Sequence, residues 1–194
     1  MFQFDVFIVC QRGSPRDIVL CKLCHGHSPD IGEGGRESTS TPTDGQGEVV
    51  EFFMSRPVHQ ELLDVLGSIP PEACGMLLGP KTHRSLITHF VRDETGVGSP
   101  SSFRIDAGRL NEAIRPFVGA GLDIKGIAHS HPSGCYEPSE GDKHYLRKLF
   151  SRQKNASAGC FYFPIISDGR IFHFAYDPSS SGRRGMRPAR LSLL

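Results

Sequence analysis

The sequence lacks the features that place a chain in a membrane or on a polyanion. Its 194 residues contain no uninterrupted apolar run near the roughly 20 residues that a membrane-spanning helix needs. It also lacks an excess of charge of either sign, because 22 Lys and Arg stand against 21 Asp and Glu. We therefore expect a soluble protein with no membrane partner, and nucleic acid is an unlikely ligand on this charge balance.

The N-terminus lacks the pattern of a secretory signal. The opening MFQFDVFIVCQRG has no basic start, carries Asp5 early and offers only the short apolar stretch Val6 to Val9. The six cysteines are too few, in a chain of this length, for the dense disulfide framework of a secreted mini-protein. We expect a cytoplasmic protein whose thiols are free or bind metal.

Composition divides the chain into three regions. Residues 1–50 are predicted to be an N-terminal extension, largely disordered or peripheral, because the segment 27–48 has Ile31 as its only aliphatic residue. Residues 51–178 carry globular patterning and form the predicted domain. Residues 179–194 are rich in Ser, Gly and Arg, which predicts a basic, flexible tail.

The extension contains a group of cysteines and histidines: Cys10, Cys21, Cys24, His25 and His27. A Cys-x-x-Cys pair with nearby histidines can close a tetrahedral zinc site, but a second clean pair is lacking here. Two interpretations of this group stay open: it binds a second, structural metal, or it belongs to a metal-free peripheral segment. Whether residues 1–53 belong to the working protein is open as well.

Hydrophobic periodicity in the central region predicts helices mixed with strands. Helices are predicted over Val58 to Ile69, from Asp106 toward Gly119 with a kink or early end at Pro116, and from Ser139 onward. Strands are predicted over 73–79, 85–91, 160–167 and 170–176, the last two flanking the hairpin turn Asp168-Gly169. Residues 123–132 are predicted to be a strand that runs into a loop, with Pro132 as its end. This mixture predicts an α/β sandwich with a mixed sheet.

The segment from His129 to Asp142 is the richest in chemistry. Residues two apart on a strand face the same side, so His129 and His131 can share one cation. Ser139 suits a helix N-cap, which puts Asp142 in the first turn, where its carboxylate could return toward the histidines. Two imidazoles and one carboxylate leave a fourth position open, as in catalytic zinc sites, where bound water has its pKa lowered to about 7.

Forming hydroxide also requires a proton acceptor that does not bind the metal. Glu72, at the entry to the predicted strand 73–79, is our candidate general base. The residues alone do not choose it over Glu137 or Glu140.

The spacing resembles that of the JAMM metallopeptidases, also called the MPN-plus family. The family pattern is an upstream glutamate, then H-x-H-P, seven residues to a Ser, two more residues and an Asp, and His129 to Asp142 follows it without a gap. The segment EACGMLLG, 72–79, is similar to the glutamate-bearing strand of the prokaryotic, deubiquitinase-like branch. The resemblance covers roughly residues 54–177 and implies an MPN (cytidine-deaminase-like) sandwich, with a mixed β-sheet flanked by helices.

This resemblance also implies roles for individual residues. It makes His129, His131 and Asp142 the ligands of one catalytic Zn2+, Glu72 the general base, and Ser139 the donor to the oxyanion of the tetrahedral intermediate. The implied reaction is hydrolysis of the amide or isopeptide bond after the C-terminal glycine of a ubiquitin-like or sulfur-carrier protein. An extended Gly-Gly tail can add as a strand beside a sheet edge, and glycine fits a narrow channel.

Other interpretations of the same residues stay open. A lone H-x-H is usually two strand histidines, and Ser139 with Asp142 is also a capping box, a role compatible with a site role. The alternative functions are a peptidase that trims short adducts from a sulfur-carrier protein, a RadC-like DNA-repair-associated protein whose motif also contains H-x-H-P-S-G, and a non-catalytic scaffold. The segment 72–79 favours the peptidase over the RadC-like protein. The modifier, the linkage and the oligomeric state are not determined by the sequence.

Overall fold

Three helices and thirteen strands form in the part of the chain that the structure describes. The computed structural model describes residues 18–20, 49–67, 73–94, 97–99, 102–151, 159–179 and 185–194. The helices are α1 (Arg56–Leu66), α2 (Ala107–Gly119) and α3 (Glu140–Phe150). The strands are β1 (Ile18–Leu20), β2 (Val50–Met54), β3 (Cys74–Pro80), β4 (Leu86–Ile87), β5 (His89–Arg92), β6 (Val97–Ser99), β7 (Ser102–Ile105), β8 (Leu122–Ser130), β9 (Phe161–Tyr162), β10 (Ile165–Ser167), β11 (Arg170–Phe172), β12 (Phe174–Tyr176) and β13 (Met186–Leu193).

Strand β8 lies inside a mixed sheet. Strand β3 pairs antiparallel along one of its edges, while β9 and β10 pair parallel with the other. A strand with neighbours along both edges lies inside the domain, which agrees with the burial of its last six residues, 125–130. The neighbouring strands approach closely at Gly126, where a Cβ would stand 2.1 Å from the carbonyl oxygen of Tyr162. The predicted α/β fold with a mixed sheet is confirmed.

Two helices cover the sheet through their apolar faces. Val58, Leu62 and Leu66 of α1 are buried, and α1 packs on β5, β8 and β10. Helix α2 buries Leu110 and Ile114 and packs on β8. Residues spaced three and four apart share one helix face, so each helix buries one stripe and leaves its polar face in water. None of the helices in the described ranges is both long and apolar enough to cross a membrane.

Helix α2 differs in part from its prediction. It begins where predicted, because the Asp106 side chain caps it by accepting a hydrogen bond from the Arg109 N–H at 3.1 Å. Of the two expectations for Pro116, the early end is wrong, since the helix continues to Gly119, and the kink stays a prediction. A proline near the C-terminus still offers its own carbonyl to the helix, and the Ala120 N–H donates to the Pro116 oxygen at 3.0 Å.

The prediction of a flexible tail over 179–194 is wrong for most of its length. Strand β13, Met186–Leu193, pairs antiparallel with β12 and parallel with β2. The arginines suggested a solvated tail, but their segment is a strand with one exposed and one packed face. Arg190 is exposed, while Ala189 and Leu191 pack against the core. The sheet therefore includes residues beyond the predicted end of the domain at 178, and the remaining boundaries stay a prediction.

Part of the predicted N-terminal extension is described. Ile18–Leu20 forms β1, which pairs antiparallel with β7 and packs against α3, and Val50 already belongs to β2. The cysteine and histidine group between residues 10 and 27 lies outside the described residues. Its capacity to hold a second metal therefore stays a prediction.

Candidate metal centre

Two histidines meet at the C-terminal end of β8. His129 belongs to β8 and His131 follows it, and their Nε2 atoms lie 2.9 Å apart. Strands β3 and β10 hold this end of β8 from both sides, since the His131 N–H donates to the Ile166 oxygen at 2.8 Å and Cys74 is the partner of His129. The prediction that the two side chains share one face is confirmed. Both histidines are buried.

The carboxylate comes from the first turn of α3. Ser139 is the N-cap, its Oγ accepts the Asp142 N–H at 3.1 Å, and Asp142 Oδ2 accepts the Ser139 N–H at 2.8 Å. This reciprocal capping box, which was predicted, turns the Asp142 side chain back toward β8. Oδ2 then lies 3.3 Å from His131 Nε2, and Oδ1 lies 3.6 Å from His129 Nε2.

These three side chains fit a small divalent cation. Bonds of 2.0–2.1 Å in a tetrahedral zinc site put neighbouring ligand atoms about 3.3 Å apart. The two Nε2 atoms lie 2.9 Å apart, and each lies near a different Asp142 oxygen, Oδ1 at 3.6 Å from His129 and Oδ2 at 3.3 Å from His131. Asp142 Oδ1 is buried without a hydrogen-bond partner among the described residues. A buried carboxylate oxygen left unpaired is costly, so a cation between the three residues would satisfy it.

The charge states also suit metal binding. Burial lowers the pKa of His129, although the nearby Asp142 carboxylate partly offsets this effect. Burial alone would raise the pKa of Asp142, but the charge of His129 and the close contact of the carboxylate with both histidines outweigh it and hold that pKa well below its usual range. Metals bind neutral imidazole and ionised carboxylate, and the pKa shifts of His129 and Asp142 both run toward these forms.

The histidine rings are oriented by packing and backbone. His129 packs against Phe163, with ring centroids 4.5 Å apart. Neither histidine Nδ1 atom has a hydrogen-bond partner within the described ranges. The usual partner of the second ring nitrogen in a metal-binding histidine is therefore not among the described residues.

Asp168, which the sequence analysis named only as part of a hairpin turn, stabilises the loop between the histidines and α3. Asp168, at the tip of the β10–β11 hairpin, accepts hydrogen bonds from the Gly134 N–H at 3.2 Å and the Tyr136 hydroxyl at 2.8 Å. A hydrogen bond from the Ser133 side chain, followed by those from Tyr136 and Gly134, lowers the pKa of Asp168. The Asp-Gly turn was the available signal, since Asp168 and Gly169 have φ of 51° and 66°, as in a type I′ turn.

The candidate bases are separated only in part. Glu72 lies outside the described residues, so its role stays a prediction. Glu137 and Glu140 are both exposed, and the Glu140 carboxylate pairs with the Lys143 ammonium at 2.8 Å, which lowers the pKa of Glu140. An exposed carboxylate that is paired with a lysine is poorly suited to accept a proton at a buried centre. This argues against Glu140 as the general base.

The fold and the site together define an α/β protein with a buried centre of two histidines and one aspartate. The model of a family described as prokaryotic homologs of the JAB domain matches residues 56–177. This match covers more than half of the chain, and the chain belongs to this family. The predicted relationship to prokaryotic JAMM/MPN proteins is thereby confirmed.

Individual proteins resemble the chain more loosely. A curated relative, desampylase from Pyrococcus furiosus, is 31% identical over 94 residues, which are 47% of this chain and 65% of the relative. A protein of Desulfitobacterium hafniense with a solution structure is 20% identical, with a TM-score of 0.55, over 74% of this chain and 92% of that one. It supports the fold alone. A JAB1/MPN domain protein from Archaeoglobus fulgidus is 18% identical, with a TM-score of 0.39, over 75% of this chain and all of its own, 100%.

Proposed function

We propose that the chain is a zinc-dependent metallopeptidase that hydrolyses the amide or isopeptide bond after the C-terminal glycine of a ubiquitin-like or sulfur-carrier protein. The observation that carries the proposal is the convergence of His129, His131 and Asp142, three buried side chains from β8 and α3. Asp142 Oδ1 is buried without a hydrogen-bond partner among the described residues, and a bound cation would account for such an oxygen.

In this proposal each residue has a defined task. His129, His131 and Asp142 would hold one Zn2+, which supplies polarisation of the scissile carbonyl and a lowered pKa for water. Glu72 accepts a proton as water attacks the carbonyl carbon, and it returns that proton to the amine as the carbon–nitrogen bond breaks. Ser139 donates its hydroxyl hydrogen to the oxygen that becomes negatively charged.

The Ser139 hydroxyl must change partner to do this. It donates to Asp142 Oδ2 at 2.7 Å, and a hydroxyl carries one hydrogen. Asp142 Oδ2 keeps the Ser139 N–H as a donor when the hydroxyl turns away, so the capping box survives in part. The change of partner is therefore compatible with both roles of Ser139.

Sequence similarity to a relative, and not the geometry of the site, supports the proposed substrate class. The relative from Pyrococcus furiosus is named a desampylase, and the chain covers 65% of its length. We place a ubiquitin-like or sulfur-carrier protein in the role of substrate on this basis, in the cytoplasm. A terminal Gly-Gly tail suits a closed site because glycine has no side chain.

The test is cleavage of ubiquitin-like and sulfur-carrier proteins joined through their terminal Gly-Gly to a reporter by peptide or isopeptide bonds. Zinc-loaded protein should cut directly after the glycine, and a chelator should abolish cutting. Cutting within a short adduct instead would favour the trimming peptidase. No cutting of any substrate, together with binding to branched DNA, would favour the RadC-like alternative.

Two substitutions separate metal binding from proton transfer. Glu72→Gln should keep about one equivalent of zinc and lose hydrolysis, because the amide cannot accept the proton. His131→Ala should lose both, because it removes a ligand. Glu137→Gln and Glu140→Gln are matched controls that should keep activity, since both carboxylates are exposed. An active Glu72→Gln protein would remove Glu72 as the base.

A further inference from the structure

The loop that joins the histidine pair to α3 has little packing of its own. None of its side chains from 133 to 137 is buried. In α3 itself the buried apolar side chains begin at Tyr145, in the turn after Asp142. A segment with few buried apolar contacts opens easily, so the position of this loop and of the first helical turn depends on other contacts.

Those contacts converge on the β10–β11 hairpin. Asp168 Oδ2 accepts hydrogen bonds from the Gly134 N–H at 3.2 Å and from the Tyr136 hydroxyl at 2.8 Å. The Ser133 side chain donates a third hydrogen bond to the same carboxylate. The Tyr136 ring also stacks on Phe172 of β11, with ring centroids 4.8 Å apart. One carboxylate at the hairpin tip therefore binds three donors of a single loop.

The same hairpin also holds the histidine end of the loop. The His131 N–H donates to the Ile166 oxygen at 2.8 Å, and the Ser167 hydroxyl donates to the Pro132 oxygen at 3.0 Å. Three consecutive hairpin residues thus bind the chain from the second histidine onward. The hairpin therefore fixes the path by which the chain leaves the histidines and enters α3.

We propose that Asp168 is a positioning residue, whose carboxylate holds the loop so that Asp142 faces the histidine pair before a metal binds. This inference rests on the metal-binding part of the proposed function. The apparent Kd of a ligand rises in inverse proportion to the fraction of protein that is in the binding-competent arrangement. Asp168 therefore increases the affinity of the centre for Zn2+, although it is not among the three side chains that would hold the ion.

The experiment compares two substitutions that keep the hairpin turn. Asp168 has a positive φ of 51°, so alanine would strain the turn, whereas asparagine and glycine accept this backbone conformation. Asp168→Asn keeps one acceptor oxygen, and Asp168→Gly removes both. The measurements are the Kd for Zn2+ by competition with a chromogenic chelator, thermal unfolding in excess chelator, and hydrogen exchange of the Gly134 and Asp142 amides.

We expect Asp168→Gly to raise the Kd for Zn2+ about tenfold to a hundredfold, the loss typical of missing outer contacts around metal ligands. Asp168→Asn should stay within about threefold of the wild type. The Gly134 amide should exchange faster in the Gly variant than in the Asn variant, because its acceptor is gone. Tyr136→Phe removes only one donor and should raise the Kd by a smaller factor than Asp168→Gly.

Ile87→Val is the control for lost stability. It removes a buried methyl group from β4, which pairs with β2 and with neither β8 nor β10 among the described strands, and it should keep the wild-type Kd. If this variant raises the Kd as much as Asp168→Gly does, the loss follows stability alone and the inference is wrong. A Gly variant with the wild-type Kd would also refute the role of Asp168.

These measurements do not require hydrolysis. A wild-type protein that binds zinc but cuts no conjugate would refute the proposed reaction alone, because the comparison of Kd values still decides the role of Asp168. A wild-type protein that binds no zinc would refute the proposed function and this role together.

Discussion

Removing the Ser139 hydroxyl should reduce stability and activity by separable amounts. Ser139 caps α3, and the same hydroxyl is the proposed oxyanion donor. Alanine and glycine both lack the hydroxyl, but they differ as N-caps. A Ser→Ala change at an N-cap costs about 0.5–2 kcal/mol of the free energy of unfolding, whereas Ser→Gly costs a few tenths.

The structure sets the expected magnitudes. The Ala variant leaves the Asp142 N–H without its acceptor at 3.1 Å, which places the loss near 1 kcal/mol, or about 3–4 °C in Tm for a domain of this size. The Gly variant should lose less than half of that. Loss of one oxyanion donor should reduce kcat about a hundredfold to a thousandfold, equally in both variants.

The assay pairs thermal unfolding with turnover of a cleavable Gly-Gly conjugate. Unfolding is followed by circular dichroism in chelator, so that differences in metal content do not contribute to Tm. Turnover is followed with zinc-loaded protein. Ser151→Ala is a matched control at the other end of α3, where an exposed hydroxyl donates to the Lys148 oxygen at 2.9 Å, and it should change neither quantity.

Three results would contradict this reasoning. A Ser139→Gly variant that keeps kcat within about threefold of the wild type would remove the hydroxyl from the mechanism. If the Ala variant is as stable as the Gly variant, the cap contributes little. A loss of kcat that follows Tm across the two variants would mean that Ser139 acts only by holding α3 in place.

Two further predictions concern the frame around the centre. Gly126→Ala should lower the free energy of unfolding by about 1–3 kcal/mol, because its Cβ would stand 2.1 Å from the Tyr162 carbonyl oxygen. Stability should also fall as the pH drops through the ordinary histidine pKa of about 6.5, in part through His173. Burial, followed by the charge of His59, lowers the pKa of His173, so the unfolded chain binds the proton more readily and the stability is lost as pH falls.

Each of these has a control. Gly119→Ala adds a Cβ with no atom within 4 Å, so urea denaturation should show wild-type or slightly higher stability. For the pH effect, Tm between pH 5 and 8 should change less steeply in His173→Gln than in wild type, while His144→Gln, at an exposed position, should match the wild type. Equal slopes in all three proteins would exclude His173 as a contributor.

The sequence determined the local parts of the candidate centre. The H-x-H spacing places two imidazoles on one face of a strand end, and Ser139 with Asp142 specifies a capping box within four residues. Both depend on backbone periodicity alone, so they could be predicted without a tertiary structure. The Asp168-Gly169 hairpin belongs to the same class, because its turn type follows from two residues that accept positive φ.

Only the tertiary structure decided what these parts meet. The approach of Asp142 to the histidines depends on where the start of α3 lies relative to the end of β8. The hydrogen bonds from the loop to Asp168 join residues 32 and 34 apart in the chain. The hydrogen bond between Ser130 and Ala73 joins residues 57 apart in the chain. Strand β13 pairs with β2, although most of the domain's sequence lies between them. Such contacts depend on burial and strand pairing between distant segments, so local periodicity in the sequence does not predict them.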